Sequence, residues 1–287
     1  MQPAPGVRIG PYLLERQLGT GAFGVVWLAA HVDTGLPVAV KVLHPSEVTS
    51  AEICERFRRE ALMLSRMKSP YITQMREFIS ESPLGMALVM EYIEGENLDA
   101  ILKQRRFSVE EGWSLGVDAL RGTEVMHQNG IIHRDLKPEN IIMRPHPAGG
   151  NAAVIFDFNL SRLNNVGGKP SSLTAVRSAI GTVPYVAPEQ LLDARRVSEC
   201  ADVYSIGAIL YHAVAGITPF KGAHNFNTKL LQEAPPLVTG RTDALAVGFE
   251  HIVAKALRRR PAERFQSAGE MLEKLLALGR PASIPSR

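Results

Sequence analysis

The sequence is short of cysteine, of aromatic residues and of net charge. Its 287 residues include 2 cysteines and 6% aromatic residues, and 32 Lys and Arg against 29 Asp and Glu give a formal net charge of +3. Cys54 and Cys200 are isolated and lack metal-binding spacing, so we expect reduced thiols in a cytoplasmic protein, neither a disulfide scaffold nor a zinc site. The small net charge gives no reason to expect a nucleic-acid partner.

Long hydrophobic runs are also missing. The longest, from Val203 to Ile217, is interrupted by Ser205 and His212, and it is shorter than the about 20 residues that a helix needs to cross a bilayer. No basic-then-apolar segment opens the chain, so we expect neither a signal peptide nor a membrane segment. The 45% of hydrophobic and 21% of charged residues are typical of a globular protein with a sizeable core.

Two stretches of different character follow one another along the chain. Residues 12–43 are rich in β-forming residues separated by Gly turns, which predicts an antiparallel meander. A helix over 50–67 and strands near 75–80 and 87–92 are predicted next. After Gly95 the pattern favours helices, over 98–103, 109–129, 187–193, 200–215 and 249–258. We therefore predict an α+β fold in which a small β-rich lobe with one main helix precedes a larger helical lobe.

The octet His-Arg-Asp-Leu-Lys-Pro-Glu-Asn at residues 133–140 places an acid, a cation and an amide on one short loop. These are Asp135, Lys137 and Asn140. Phosphoryl transfer from ATP to a hydroxyl needs one group that orients the hydroxyl, one that balances charge on the moving phosphoryl and one that holds metal. The octet therefore predicts the catalytic loop of a phosphoryl-transfer enzyme.

The hexapeptide Gly-Thr-Gly-Ala-Phe-Gly at residues 19–24 stands between two strand-like runs. Glycines allow backbone N–H groups to approach phosphate oxygens that a Cβ atom would keep away. The same spacing marks dinucleotide-binding folds, but there a helix follows the glycines. Here Val25-Val26-Trp27 predicts a strand, which favours a flap over ATP.

Lys41 and Glu60 are predicted to form an ion pair. Lys41 lies in a strand, where a buried ammonium without a partner would cost several kcal/mol; a surface lysine with its amine in water is the alternative. Glu60 falls on the apolar stripe of the predicted helix over 50–67, so it also needs a partner. Glu52 and Glu55 remain alternatives, although they lie off this stripe or nearer the helix start.

An apolar run over 153–156 ends in Asp157. With Asn140, this carboxylate would supply the oxygen ligands that Mg²⁺ prefers, and Mn²⁺ could replace it.

In this order the motifs resemble those of the protein kinase family. The wording of the sequence segments is most similar to that of the bacterial eukaryotic-like Ser/Thr protein kinases. The resemblance extends from about Tyr12 to Leu278 and includes the segments Gly-Thr-Val-Pro-Tyr-Val-Ala-Pro-Glu at 181–189 and Pro-Ala-Glu-Arg-Phe at 261–265. It implies a bilobal kinase-like fold with an N-lobe at 12–90, a hinge at 91–97 and a C-lobe at 98–278. We expect residues 1–11 and 279–287 to be flexible.

The resemblance implies a set of nucleotide-contacting residues. They are Gly19, Thr20, Gly21, Ala22, Phe23, Gly24, Val26, Ala39, Lys41, Glu60, Met90, Glu91, Ile93, Asn97 and Ile142. Within this set Lys41 and Glu60 would position the α- and β-phosphates, Met90 would lie behind the adenine, and backbone groups of Glu91 and Ile93 would hydrogen-bond its edge.

The resemblance also implies structural roles. Glu189 would pair with Arg264, and Asp202 would anchor the catalytic loop through backbone N–H groups, although a carboxylate at that place could equally cap its helix. Thr182 resembles the threonine that contacts the catalytic acid and lysine in Ser/Thr kinases. His133 would be a packing residue, in a column with Phe158, Leu64 and Met75.

Control by phosphorylation is implied by Arg134, because a cation beside the catalytic acid invites a phosphate that orders the following loop. The candidates are Ser171, Ser172, Thr174 and Ser178, of which Thr174 and Ser178 best match the family's spacing. A Ser-rich loop that is simply solvated is the alternative. A dimer that autophosphorylates in trans would fit this scheme.

The expected function is transfer of the ATP γ-phosphoryl to Ser or Thr hydroxyls of proteins. One departure from the family pattern is Asn159, where the motif Asp-Phe-Gly has glycine; Asn tolerates positive φ, so we expect the turn to survive. A nucleotide-binding pseudokinase scaffold is the alternative that Asn159 supports. A small-molecule kinase is disfavoured by the Ala-Pro-Glu segment and Arg264, because that segment builds a platform for protein substrates.

Overall fold

The structure, a computed structural model, describes residues 2–21, 24–44, 50–147, 149–157, 184–192, 197–220 and 226–284. The chain divides into two compact units, Met1–Ile93 and Glu94–Arg287. The division falls inside the segment 91–97 that was predicted as a hinge.

The first unit is a six-stranded antiparallel sheet with one helix. The strands are β1 (Arg8–Ile9), β2 (Tyr12–Thr20), β3 (Gly24–His31), β4 (Pro37–Leu43), β5 (Met75–Ile79) and β6 (Ala87–Glu91), in the order β1-β2-β3-β4-β6-β5. Helix α1 spans Ala51–Arg66, with Ser50 as its N-cap. The predicted meander and main helix are therefore confirmed.

The two faces of this sheet differ because side chains alternate along each strand. On β4, Val38, Val40 and Val42 are buried in the hydrophobic core of the unit, together with Trp27 of β3. Ala39 and Lys41 point to the opposite face and are partly exposed. The antiparallel register extends this second face to neighbouring strands, because Lys41 lies opposite Val26, and Ala39 lies opposite Met90.

The described residues at both ends of the chain make contacts. β1 pairs with β2, and Ile9 is fully buried in the core. At the other end the described residues 279–284 include a turn in which Ile284 N–H donates to Pro281 O at 3.0 Å. Arg280 and Ile284 line a small pocket beside Trp113. The flexibility expected of residues 1–11 and 279–287 stays a prediction.

The second unit is mainly helical. Its described helices are α2 (Leu98–Gln104), α3 (Val109–Gln128), α4 (Pro188–Leu192), α5 (Cys200–Ala215), α6 (Phe226–Leu231), α7 (Ala244–Ala256) and α8 (Ala268–Ala277). A three-stranded antiparallel sheet is formed by β7 (Glu96–Asn97), β8 (Ile141–Pro145) and β9 (Asn151–Ile155). Short 3₁₀ turns span Pro138–Asn140 and Pro261–Glu263.

Helix α5 is the centre of the second unit. All its residues except His212 and Ala215 are buried, and it packs against α3, α7 and α8. A helix that is apolar all round must be enclosed by protein or lipid, and here the surrounding helices enclose it. Within the described ranges, no helix combines the length and the hydropathy that crossing a membrane requires.

Candidate active site

The glycine turn joins β2 to β3 in the first unit. A Cβ atom on Gly24 would collide with the carbonyl oxygen of Val42 on the neighbouring strand, so this glycine is required by packing. Among the described residues, a Cβ atom at Gly19 would meet nothing within 4 Å, and one at Gly21 would meet only Gly24 O at 3.7 Å. Contacts with the described residues therefore do not require the first two glycines.

Lys41 and Glu60 meet within the first unit. Lys41 Nζ lies 2.7 Å from Glu60 Oε1, and the side chains are 13% and 11% exposed. Ser50 caps the helix that carries Glu60, and Phe57 and Leu64 pack the same helix face into the core. Glu52 and Glu55 pair instead with Arg56 and Arg59 on the helix surface, which excludes them as the partner.

Three further residues of the predicted nucleotide set share one face of the sheet. Val26, Ala39 and Met90 lie on the partly exposed face that carries Lys41. At the end of β6, the N–H of Glu91 donates to Gln74 O at 2.8 Å. The predicted contact of the Glu91 backbone with an adenine stays a prediction.

The catalytic loop lies in the second unit and brings the predicted acid and cation together. Lys137 Nζ is 3.2 Å from Asp135 Oδ2, and Asp135 is buried whereas the lysine remains partly exposed. Asn140 Nδ2 donates to the backbone oxygen of Asp135 at 2.9 Å. Pro138 starts the 3₁₀ turn that returns Asn140 to this position, so the predicted residue types come from one tight loop.

Asn140 is joined to the strand that ends at Asp157. Phe156 N–H donates to Asn140 O at 3.0 Å, which places Asp157 next to this contact along the chain. The amide nitrogen of Asn140 is engaged with Asp135, so its oxygen is the atom available to a cation. One amide oxygen and one carboxylate fit the hard oxygen donors of Mg²⁺.

Two residues near this site have left-handed backbone conformations that non-glycine residues rarely adopt. Arg134 has φ 64° and Asp157 has φ 58°. Such conformations cost about 1–3 kcal/mol each and persist where the surroundings impose them. For Arg134 those surroundings are visible in the structure.

Asp202 imposes the shape of the catalytic loop. Its Oδ2 accepts the backbone N–H of His133, and its Oδ1 accepts that of Arg134, each at 2.8 Å. Asp202 is fully buried on the first turn of α5, and the residue at the N-cap position is Glu199. Of the two readings left open by the sequence, anchoring of the loop is therefore the one observed.

Two histidines support this anchor. His127 Nε2 lies 3.0 Å from Asp202 Oδ2; the sequence gave no reason to single out His127, because its partner is 75 residues away. Asp135 N–H donates to His133 Nδ1 at 3.3 Å. Burial lowers the pKa of His133, against the opposing effect of Asp202 and other nearby carboxylates, so the neutral ring serves as a packing residue.

The Ala-Pro-Glu segment is fixed to the rest of the unit at several points. Arg264 donates to both oxygens of Glu189, at 2.7 and 2.8 Å. The same guanidinium donates to the backbone oxygens of Cys200, Arg258 and Arg259. Gln190 Nε2 donates to Arg134 O at 2.9 Å, a contact with the catalytic loop that the sequence did not reveal.

Asn97 has a structural role, and its predicted contact with the nucleotide stays a prediction. Its Oδ1 accepts the N–H of Asp99 at 3.0 Å and caps α2, while its Nδ2 donates to Glu139 O at 2.8 Å. Ile142 lies opposite Asn97 on β8 and is partly exposed. Its predicted contact with the nucleotide, like that of Ile93, stays a prediction.

Several predicted positions lie outside the described residues. They are Ala22, Phe23, Phe158, Asn159, Ser171, Ser172, Thr174, Ser178 and Thr182.

The first unit combines a glycine turn with a lysine–glutamate pair, and the second has a loop bearing an acid, a lysine and an amide. These features define the class of nucleotide-dependent phosphotransferases. The family model "Protein kinase domain" matches residues 12–276, and the chain belongs to the protein kinase family.

Curated relatives and solved structures agree with this family. The chain is 34% identical to the serine/threonine-protein kinase pkn2 of Myxococcus xanthus, over 96% of this chain and 35% of that protein. It is 33% identical to PknA of Mycobacterium tuberculosis, over 100% of this chain and 66% of that protein. A crystal structure of the M. tuberculosis PknI kinase domain matches with a TM-score of 0.70 and 24% identity, covering 96% of this chain and 99% of that one.

The fold is therefore that of a protein kinase, as predicted. The chain spans roughly one third to two thirds of the length of these curated relatives.

Proposed function

We propose that this chain is the catalytic region of a Ser/Thr protein kinase, which transfers the γ-phosphoryl of ATP to Ser or Thr hydroxyls of proteins. The observation that carries the proposal is the loop in which Lys137 lies 3.2 Å from Asp135 and Asn140 is bonded to Asp135 O. A structural loop would gain little by burying a carboxylate against a lysine, because removing both charges from water is costly.

Asp135 would accept a hydrogen bond from the substrate hydroxyl, orient it and take its proton as the new O–P bond forms. Lys137 would balance negative charge on the transferred phosphoryl and is close enough to act on the same atoms. Because the reaction involves little covalent chemistry by the protein, positioning and electrostatic stabilisation supply most of the rate enhancement. Both side chains must therefore be held in place, which the bonds from Asp202 to the loop backbone achieve.

Asn140 and Asp157 would hold Mg²⁺, or Mn²⁺ in its place. When bound, the cation would neutralise part of the charge on the triphosphate. Lys41, held by Glu60 at 2.7 Å, would place the α- and β-phosphates, and the open backbone at Gly19 and Gly21 would cover them. Val26, Ala39, Met90 and Ile142 would contact the adenine.

The choice of Ser and Thr over Tyr rests on Lys137 and on the resemblance at Thr182. Thr174 and Ser178 are our leading candidates for autophosphorylation, with Ser171 and Ser172 as further candidates, and a transient dimer would allow transfer in trans. Arg134 would then pair with the phosphate. A cytoplasmic location is part of the same proposal.

The test is transfer of ³²P from labelled ATP to the chain itself and to casein, with Mg²⁺ or Mn²⁺. Asp135→Asn and Asp157→Ala should each lower transfer by at least about 10³-fold, and Asp135→Asn should still bind nucleotide. Asp33→Asn, which changes an exposed turn residue, should leave transfer unchanged. Nucleotide binding without any transfer by the unaltered chain would refute the enzyme and favour the pseudokinase scaffold.

A further inference from the structure

Lys229 on α6 is a buried lysine that the proposed reaction does not use. It is 3% exposed, and its Nζ donates to the backbone oxygen of Pro184 at 2.8 Å. Pro184 begins the described part of the segment that leads to Glu189 and Gln190. The lysine thus connects a helix to this segment through the backbone, and so independently of the side chain at position 184.

The amine lies among aromatic and charged groups. Its Nζ is 4.8 Å from the centre of the Tyr204 ring and 5.8 Å from that of Phe220. The guanidinium of Arg264 lies 4.8 Å from the same Tyr204 ring. Burial, helped by Arg264 and opposed by Glu189, lowers the pKa of Lys229 to about 7.

This environment makes Lys229 a poor contributor to stability. A pKa below the ordinary value means that the protonated amine is less favourable in the folded than in the unfolded chain. A methionine would fill nearly the same space without that cost. Because the Lys229 amine is costly to bury, its bond to the backbone oxygen of Pro184 explains a lysine at this position better than stability does.

Pro184, whose backbone Lys229 holds, begins a short segment that leads to the catalytic loop. From Pro184 the chain passes Tyr185, whose hydroxyl lies 2.7 Å from His212 Nδ1, and reaches Gln190, which donates to Arg134 O. Arg134 is the neighbour of Asp135. The segment 184–190 is therefore held at both ends, by Lys229 at Pro184 and by the backbone of the catalytic loop at Gln190.

We propose that Lys229 is a positioning residue for the protein substrate, because it fixes the segment 184–190 at the end opposite to its contact with the catalytic loop. The inference rests on the proposed kinase function. It assigns Lys229 no contact with ATP, metal or the transferred phosphoryl. Loss of the amine should therefore weaken the use of a protein acceptor and leave the handling of ATP unchanged.

The variant Lys229→Met removes the donor and the charge while keeping the length of the side chain. With casein as acceptor, we expect KM for the protein to rise about tenfold, which corresponds to the loss of one hydrogen bond to a charged donor. KM for ATP and the slow hydrolysis of ATP without an acceptor should stay within about twofold.

Lys255→Met is the matched control. Lys255 also lies over an aromatic ring, Phe265, at 4.1 Å, but it is 43% exposed and pairs with Glu270 at 3.1 Å. Its replacement should alter neither KM. Equal effects of the two variants would indicate a general loss of stability and would overturn the proposal.

Hydrogen exchange gives a readout that does not need activity. In Lys229→Met the amides of the peptide 184–192 should exchange about tenfold faster, while those of the α3 peptide 109–128 should be unchanged. If Lys229→Met does not fold at 25 °C, Lys229→Gln at 10 °C serves for the same measurements, with the same direction expected.

Failure of the proposed kinase function and failure of the proposed role of Lys229 would give different results. If the unaltered chain transfers no phosphate but the exchange of 184–192 responds to Lys229→Met, the kinase function fails and the positioning contact stands. If the unaltered chain is active while Lys229→Met retains its KM for casein and its exchange pattern, Lys229 is not a positioning residue.

Discussion

Each unit contains a buried ion pair, and the two pairs are built differently. In the first unit a lysine meets one carboxylate oxygen, Lys41 Nζ to Glu60 Oε1 at 2.7 Å, with both side chains partly accessible. In the second unit a fully buried arginine binds both oxygens of Glu189 and three backbone carbonyls. An ammonium is a point charge on a flexible stem, whereas a guanidinium is a planar fork that fixes its partners in one geometry.

The difference separates a pair that could serve a ligand from one that cannot. An ammonium carries three N–H donors, so under the proposed function Lys41 would meet a phosphate while Glu60 continues to hold it. Arg264 uses every one of its N–H donors on Glu189 and three backbone carbonyls, so it serves only to hold these groups. The same charge chemistry would thus support binding in one unit, and it supports rigidity in the other.

The largest effect is expected at the rigid pair. Arg264→Met leaves the carboxylate of Glu189 and three carbonyl groups without their donor, so the free energy of unfolding should fall by about 3–5 kcal/mol. Urea denaturation followed by circular dichroism measures this change. Arg241→Met provides the control, since Arg241 is 41% exposed and pairs with Asp243 and Glu110 at the surface; a loss of similar size there would remove the contrast.

At the Lys41–Glu60 pair the effect should be on catalysis. Lys41→Met should lower phosphate transfer by about 10²–10³-fold, because one preorganised positive group is lost. Its effect on the free energy of unfolding should be smaller than that of Arg264→Met, since Arg264 donates five hydrogen bonds to Glu189 and three backbone carbonyls. Labelled-ATP transfer and urea denaturation of the same preparation measure both. An inactive Lys41→Met that is also as unstable as Arg264→Met would mean that the two pairs do not differ in kind.

A third, smaller effect tests the lysine that lies beside the rigid pair. Burial lowers the pKa of Lys229 from 10.5 to about 7, so between pH 7 and 10 the unfolded chain binds more protons than the folded chain. The free energy of unfolding should therefore rise with pH relative to Lys229→Met, by roughly 3–4 kcal/mol over that range. Urea denaturation of both proteins at pH 7, 8.5 and 10 gives the difference, and a flat difference would contradict the burial of a charged amine.

The elements that the sequence predicted well are those with a strong local pattern. The bounds of α5 agree with the prediction at both ends because a mainly apolar stretch starts and ends abruptly. Helix α7 begins at Ala244, five residues before the predicted start at Phe249, since its first turn depends on a cap by Asp243 and carries little periodicity. The strands β7 and β8 and the helices α6 and α8 were not predicted, and β7 exists through pairing with β8, which lies far along the chain.

The functional residues that the sequence predicted are likewise those with a strong local pattern. The glycine turn, the acid and lysine of the catalytic loop, and the Lys41–Glu60 pair were found from residue type and spacing, because each motif is compact or solves a local burial problem. His127, Gln190 and Lys229 were missed because each acts on a backbone group or carboxylate far along the chain. Asn97 was assigned to the nucleotide because its position resembles the family, and only the observed bonds show that both ends of its amide are engaged.

The carboxylate of Asp202 on α5 holds the catalytic loop by accepting hydrogen bonds from backbone N–H groups, which every residue except proline possesses. These bonds therefore do not depend on which side chain occupies position 134, as long as that residue tolerates a left-handed backbone with φ 64°. Arginine can thus be exchanged for asparagine or glycine during evolution without dismantling the catalytic geometry. Under the proposed function, the response to a phosphate and the integrity of the active centre would be separately adjustable properties of one position.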